Sequence, residues 1–299
     1  MESIVNKIIQ KDNGTYEVNI ANKNESITAR QIIIATGGIP INILDENEAF
    51  AGIIPLQKYR EKIEYADHIL KCGINNNLKT KLLKKSKVVI LGGSHSAFSV
   101  AHFLLNSSDS YLFKSNDIKI WCRAKPKIYF NSKEDAFQCG YTDFSNTDFC
   151  TVTNKLYRLA GLRMDGRDLY MKMLGLGNAK KETRVCLNLF EGKIKEIERD
   201  LNDATLIIVA YGYKLNIPLF INKFGEQINF KGNYTKHWVN NNCELLDENG
   251  CIISNVFATG LATGFIPTGD LGGEPSFEGQ TNGIWYYQNA IADRIINSL

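Results

Sequence analysis

The residues best placed to do chemistry are Gly92, Gly93, Ser94, His95, Ser96 and Ala97, which follow the apolar run Val-Val-Ile-Leu at 88–91 and open directly into a helical pattern over 96–105. A strand that turns through two glycines into a helix offers free backbone N–H groups and the positive end of a helix dipole. The chemistry it suits is the binding of a diphosphate, as in dinucleotide sites. Gly92 and Gly93 permit a tight turn and close approach, and the small Ala97 lets the helix lie close on its strand. On this reading a side chain at Gly93 blocks nucleotide binding and leaves the fold intact. The middle glycine of the usual fingerprint is Ser94 here, so a purely structural strand-to-helix turn stands as the competing reading. His95 titrates near neutrality, and its place in the turn points to contact with the nucleotide rather than to acid–base work. His68, His102 and His237 lack metal-ligand spacing, and no Ser-His-Asp or paired-carboxylate arrangement stands out, so no catalytic side chain and no metal site are assigned.

Basic residues follow the next β-branched run, 118–122. Arg123, Lys125 and Lys127 have no carboxylate close in sequence. In a dinucleotide fold this is where the adenosine ribose lies, and a basic group there suits the 2′-phosphate of NADP, whereas an acidic one suits NAD. NADPH is therefore expected over NADH, with an exposed basic loop as the alternative. Residues 129–170 are rich in aromatic side chains and arginine, among them Tyr129, Phe130, Tyr141, Tyr157, Arg163, Arg167 and Tyr170. Such a stretch either lines a pocket for a planar or anionic substrate or covers a core, and the cover is favoured because aromatic side chains more often pack than bind.

These groups need elements to position them. Three further segments run from a β-branched strand into glycine: 32–38 with Thr36, Gly37 and Gly38; 206–213 with Gly212; and 256–260 with Gly260. Each reads as a buried parallel strand ending in a small-residue turn. Residues 1–30 instead alternate in β fashion around the turn 11–14, which predicts a small β-meander. Near the end of the chain, Thr281 or Asn282 caps an amphipathic helix whose inward face carries Ile284, Tyr287, Ile291 and Ile295.

Taken together, these turns and their order resemble the flavoproteins with two dinucleotide-binding domains, the pyridine nucleotide-disulfide oxidoreductases and flavin-containing monooxygenases. The resemblance covers nearly the whole chain. It implies an α/β fold in which a Rossmann-like NAD(P)-binding domain, 52–242, is inserted into a partial FAD-binding domain, 1–51 and 243–299, that carries the β-meander. Thr36-Gly37-Gly38 would end the first half of the FAD domain, the Gly92 turn would hold NAD(P)H, and Gly212 would mark the return. Gly260, Asp270, Gln280, Thr281 and Asn282 would then face FAD, with the last helix directing its N-terminus at the flavin. Two departures are visible. Leu261 stands where the family has aspartate, and nothing before Ile32 resembles the Gly-x-Gly-x-x-Gly unit with which such proteins begin. The chain is thus expected to start partway through the fold and to rely on an N-terminal partner segment, or to bind FAD poorly.

Composition narrows the class. At 299 residues with a formal net charge of +3, the chain has room for two domains and lacks the concentrated basic patch of a nucleic-acid binder. Neither a secretory start nor a spanning apolar run is found, so a cytoplasmic protein without membrane partners is expected. Seven cysteines, an odd number without a Cys-x-x-Cys pair, argue for reduced thiols and against the disulfide-reductase branch. The expected function is hydride transfer from NADPH to FAD in a monooxygenase-like oxidoreductase acting on a small molecule, with an N-terminal partner segment or a second copy of the chain, in a homo-oligomer, as its partner; one piece of a split flavoenzyme is an alternative. The other alternative is a non-catalytic nucleotide-binding or interaction protein descended from such an enzyme.

Overall fold

The strand Val88–Leu91 is buried at all four positions, as a central strand of a parallel sheet must be. In the computed structural model it lies in a five-stranded sheet in the order Val185–Leu189, Ile118–Cys122, Val88–Leu91, Leu206–Val209, Ile63–Tyr65, with every neighbouring pair parallel. The structure describes residues 3–21, 23, 25–41, 49–82, 86–107, 113–230, 238–260, 263–265, 267, 269–277 and 291–298.

Successive side chains of a strand point to opposite faces, and the two faces of this sheet carry separate cores. Val88 and Ile90 join Ile118, Ile120 and Ile208 under the helix His95–Asn106, which buries Ala97, Phe98, Val100, Ala101 and Leu104. Val89 and Leu91 join Trp121, Ile207 and Val209 under the helix Ile194–Asp203, which buries Ile197 and Leu201. Each fully buried aliphatic side chain stabilises the fold by about 1.5–3 kcal/mol, so both helices are held by their apolar stripes. Asp200 fixes the second helix more specifically. Its carboxylate accepts 2.6 Å from Lys119 Nζ and 3.0 Å from Trp121 Nε1, pinning the helix to the strand Ile118–Cys122.

Two compact units divide the chain, one comprising Pro40–Gly212 with Glu274–Ser276, the other Met1–Ile39, Tyr213–Gly273 and Phe277–Leu299. The chain thus crosses at 39/40 and 212/213 instead of 51/52 and 242/243. The reason is packing. Ile41, Phe50, Ile54 and Leu56 are buried with Val89, Leu91 and Ile207, and the strand Leu219–Ile221 runs parallel to Ile4–Gln10.

In the second of these units the expected meander is present, formed by Ile4–Gln10, Tyr16–Ala21 and Ser26–Ala29 in antiparallel order. Its first turn closes with Lys11 N–H donating 2.8 Å to Thr15 O. Ile252–Ala258 pairs antiparallel with Glu244–Leu246 and parallel with Ile32–Ile34, setting Ile33 opposite Phe257. At the 247–250 turn, Asp247 Oδ1 accepts from the N–H groups of Asn249 at 2.9 Å and Cys251 at 2.8 Å. All seven cysteines are free, with Cys243 buried and Cys251 exposed. Ile291 and Ile295 are buried at the helix Ala292–Ser298. Gln280, Thr281 and Asn282, like His237 and Leu261, lie outside the described residues. Among the described residues, no helix is long and apolar enough to cross a membrane.

Candidate functional site

The turn after Val88–Leu91 is shaped by its neighbouring strands. Gly92 has φ +134°, and a Cβ there would sit 2.3 Å from the carbonyl oxygen of Ala210; a Cβ on Gly93 would sit 2.6 Å from Cβ of Cys122. Both glycines are therefore wedged against the ends of the flanking strands. This corrects the expectation that a side chain at Gly93 leaves the fold intact, because a Cβ there must displace the end of the strand Ile118–Cys122. Gly37, Gly212 and Gly260 differ, since a Cβ on any of them meets nothing within 4 Å while their φ values are +69°, +94° and +99°. They serve the left-handed backbone of their turns. Gly38 begins the short strand Gly38–Pro40, and the Thr36 hydroxyl donates to Asn216 O.

At the helix start, Ser94 O accepts from Ala97 N–H at 3.0 Å and from Phe98 N–H at 3.3 Å, and the Ser94 side chain caps nothing. Among the described residues, no group accepts from the N–H groups of Gly93, Ser94, His95 or Ser96. Four free donors at the positive end of a helix spanning His95–Asn106, with no acidic residue in its first turn, fit an anionic diphosphate. The residues present thus suit a dinucleotide.

His95 faces a different partner. Its Nε2 accepts from Arg163 N–H at 3.2 Å, which places the ring proton on Nδ1 in the neutral form. Desolvation, and then the Arg163 guanidinium, hold its pKa below the ordinary histidine value. The imidazole is therefore neutral at pH 7.

Of the three basic residues beyond Cys122, Arg123 is exposed and ion-pairs with no described residue. Lys125 Nζ lies 2.7 Å from Asp143 Oδ2, so the fold supplies a carboxylate that is distant in sequence. Lys127 Nζ sits 5.0 Å from the centre of the Tyr157 ring. Asp270 is exposed and paired with Arg294, whose hydrogen bond holds its carboxyl below the usual range.

The aromatic stretch divides between two roles. Phe130, Tyr141, Tyr157 and Tyr170 are buried in the core beside the helix His95–Asn106, with Phe98 and Tyr170 ring centres 5.2 Å apart. Tyr129, Arg163 and Arg167 line a cavity, and Phe130 contributes to its wall as well as to the core.

Sequence reasoning missed Glu274. Only 4% exposed, it accepts through Oε1 from the N–H groups of Leu159 and Ala160, each at 2.8 Å, while Oε2 is buried without a partner among the described residues. Ser276 Oγ donates 2.6 Å to Asp148, so the segment 274–276 is tied at both ends. Nothing local in Gly-Gly-Glu-Pro-Ser marks this, because the partners lie more than 100 positions away.

No family model matches the chain. The CMP-5'-(3-aminopropyl)phosphonate hydroxylase of Streptomyces rubellomurinus is 27% identical over 217 residues, covering 71% of this chain. That match takes in 49% of the hydroxylase, so the chain spans about half the length of the curated relative it matches. Among solved structures, DfoA, the desferrioxamine-pathway cadaverine monooxygenase of Erwinia amylovora, bound to FAD, superposes with a TM-score of 0.54 at 17% identity, covering 99% of this chain and 68% of that one. At that identity the likeness is one of fold. The chain shares its mixed α/β, Rossmann-like fold with that structure.

Proposed function

We propose that the chain is the nucleotide-handling part of a monooxygenase-like oxidoreductase that uses FAD and NADPH on a small molecule. The observation carrying this reading is the set of four free N–H groups at residues 93–96, where the central strand of a parallel sheet turns into a helix. When bound, the cofactors supply the redox chemistry, a hydride passing from nicotinamide to flavin and electrons onward to oxygen or another acceptor. The protein's part is binding, orientation and exclusion of water.

In this reading the N–H groups of Gly93, Ser94, His95 and Ser96 hold the pyrophosphate of NADPH, and Ala97 keeps the helix close to the strand. Arg123, with its guanidinium free, pairs with the 2′-phosphate, and Lys125 assists once shared with Asp143. Gly92 and Gly212 shape the turns. Thr36, Gly37, Gly38, Gly260, Asp270, Gln280, Thr281 and Asn282 form the FAD side. A neutral His95 orients Arg163 through its backbone and moves no proton, and the hydride step needs none.

The hydroxylase named above supports an oxygen-inserting reaction. We propose that an N-terminal partner segment or a second copy of the chain contributes to the FAD site. Seven free cysteines fit work in the reducing cytoplasm. A non-catalytic nucleotide-binding protein is the second reading, favoured by Ser94 in place of the middle glycine.

Visible absorbance of the purified chain, followed by titration with NADPH and NADH, tests the proposal. Flavin absorbance, intrinsic or gained on adding FAD, together with tighter NADPH binding, is the expected result. Colourless protein that binds NADPH and takes up no FAD establishes the second reading, and failure to bind either nucleotide overturns both.

A further inference from the structure

Glu274 sits where a carboxylate is costly. It is 4% exposed, and its Oε2 is buried without a hydrogen-bond partner among the described residues. Burying a charged group with one bare oxygen is unfavourable. The other oxygen, Oε1, accepts from the N–H groups of Leu159 and Ala160, and what those groups support accounts for the arrangement.

The Leu159 N–H belongs to the peptide that joins Arg158 to Leu159, and the carbonyl of that same peptide accepts 2.7 Å from Arg163 Nη2. One peptide plane is thus gripped on both edges, by a carboxylate on its N–H and by a guanidinium on its C=O. Each bond polarises the other. Burial works against the Arg163 charge, and the Glu274 carboxylate is among the groups that offset this. Arg163 Cζ also lies 3.5 Å from the centre of the Tyr129 ring, so stacking fixes the plane of its guanidinium.

The chain between these residues has no slack. A Cβ on Gly161 would lie 2.4 Å from Tyr129 N and 2.6 Å from Tyr157 O, and Leu162 N–H donates 2.8 Å to Lys127 O. A shift at 158–160 is therefore passed to Arg163. The Arg163 N–H donates 3.2 Å to His95 Nε2, and His95 is the first residue of the helix that follows the Gly92 turn. That contact works in both directions, since it holds the imidazole as well as the arginine. Glu274 is itself delivered by a short strap, in which Ser276 N–H donates 3.1 Å to Thr147 O and Ser276 Oγ donates 2.6 Å to Asp148.

We propose that Glu274 is a positioning residue for the nucleotide turn, setting His95 through the 158–159 peptide and Arg163. The proposal rests on the reading of residues 93–96 as a diphosphate site. Its effect falls on the pyrophosphate, which NADPH and NADH share.

Amide hydrogen exchange and nitrogen NMR of the His95 ring, on the full chain without nucleotide, test it first. In Glu274→Ala the Arg163 amide should exchange at least about tenfold faster than in wild type, as loss of its hydrogen bond requires. The His95 Nε2 resonance should move from that of an acceptor bonded to an amide toward that of a ring open to water. Glu274→Gln keeps the accepting oxygen and loses the charge, so it should fall between wild type and Glu274→Ala. Dissociation constants for NADPH and NADH should rise together in Glu274→Ala, by about threefold or more, and the same substitution made in His95→Ala should add nothing further. Circular dichroism establishes that each variant is folded, and Glu274→Asp, one methylene shorter, takes the place of Glu274→Ala should that variant not fold. Unchanged Arg163 exchange and His95 resonance with nucleotide binding intact, or losses strictly additive with His95→Ala, would overturn the positioning role alone. Wild-type chain that binds neither nucleotide would overturn the reading of the turn, and the positioning role with it.

Discussion

Replacing Gly93 by alanine puts a methyl group 2.6 Å from Cβ of Cys122 and 3.3 Å from its Sγ. The first distance is roughly 1 Å inside ordinary van der Waals contact. Cys122 cannot swing clear, because the atom struck is the one fixed to the backbone. That backbone is the end of Ile118–Cys122, held by pairing with Val185–Leu189. Overpacking of this kind costs about 1–3 kcal/mol, and the lower chain entropy of alanine in the unfolded state offsets about 0.4–1 kcal/mol. A net loss of about 1–2 kcal/mol is expected. Urea unfolding at constant m value measures it as a fall in midpoint. Cys122→Gly removes the struck atom, so the double variant should be more stable than the two single losses sum to, by about 1 kcal/mol or more. Gly92→Ala should lose more than Gly93→Ala, since its Cβ meets a backbone carbonyl at 2.3 Å and its φ is +134°. Wild-type stability in Gly93→Ala, or strict additivity with Cys122→Gly, would refute the packing role given to this glycine.

Arg123→Glu should weaken NADPH about tenfold or more while changing NADH little, as loss of a charge-assisted phosphate contact requires; equal losses in parallel titrations would remove the 2′-phosphate role. Burial raises the Cys150 thiol, but hydrogen bonds from Thr153 N–H at 3.5 Å and Arg158 Nη1 at 3.1 Å bring it down to about 7. With the folded pKa below the unfolded one, this contribution is present above the unfolded value near 9 and lost as pH falls through 7. The stability gap between wild type and Cys150→Ser should therefore widen by up to about 2 kcal/mol from pH 6.5 to pH 9, and a gap independent of pH in urea melts would contradict the thiolate. Asp200→Ala leaves Lys119 and Trp121 Nε1 without their acceptor and should cost about 3–5 kcal/mol by thermal or urea unfolding; a loss below about 1 kcal/mol would show that the helix Ile194–Asp203 is held by its apolar stripe alone.

The parallel strands at 32–34, 88–91, 206–209 and 252–258 were legible because each is a β-branched run leading into a glycine turn, and the helix after Gly93 because its apolar spacing matches one face, whereas Ile63–Tyr65, which runs into no glycine, and Val185–Leu189 were not read as strands. The predicted range 96–105 falls one residue short of His95–Asn106 at each end. Patterns of this local kind do not encode where the chain crosses between units. That was set by Ile41, Phe50 and Leu56 choosing the core of the parallel sheet, a tertiary preference without a sequence period. Long-range polar contacts were invisible for the same reason. Asp143 reaches Lys125, Arg163 reaches His95, and Glu274 reaches Leu159 and Ala160 only after the fold has formed. The aromatic stretch was read correctly as cover in Phe130, Tyr141, Tyr157 and Tyr170. Tyr129 escaped that reading because its wall of the cavity exists only when Arg163 and Arg167 are laid against it.

The claim on which the proposed function rests is that the backbone of residues 93–96 receives a diphosphate. Amide hydrogen exchange of the purified chain, with and without saturating NADPH, reads those N–H groups directly. Slowed exchange at Gly93, Ser94, His95 and Ser96 on adding NADPH, with the interior of Val88–Leu91 unchanged, is the result we expect. Unchanged exchange at these four amides under saturating nucleotide, or protection confined to another segment, would contradict it.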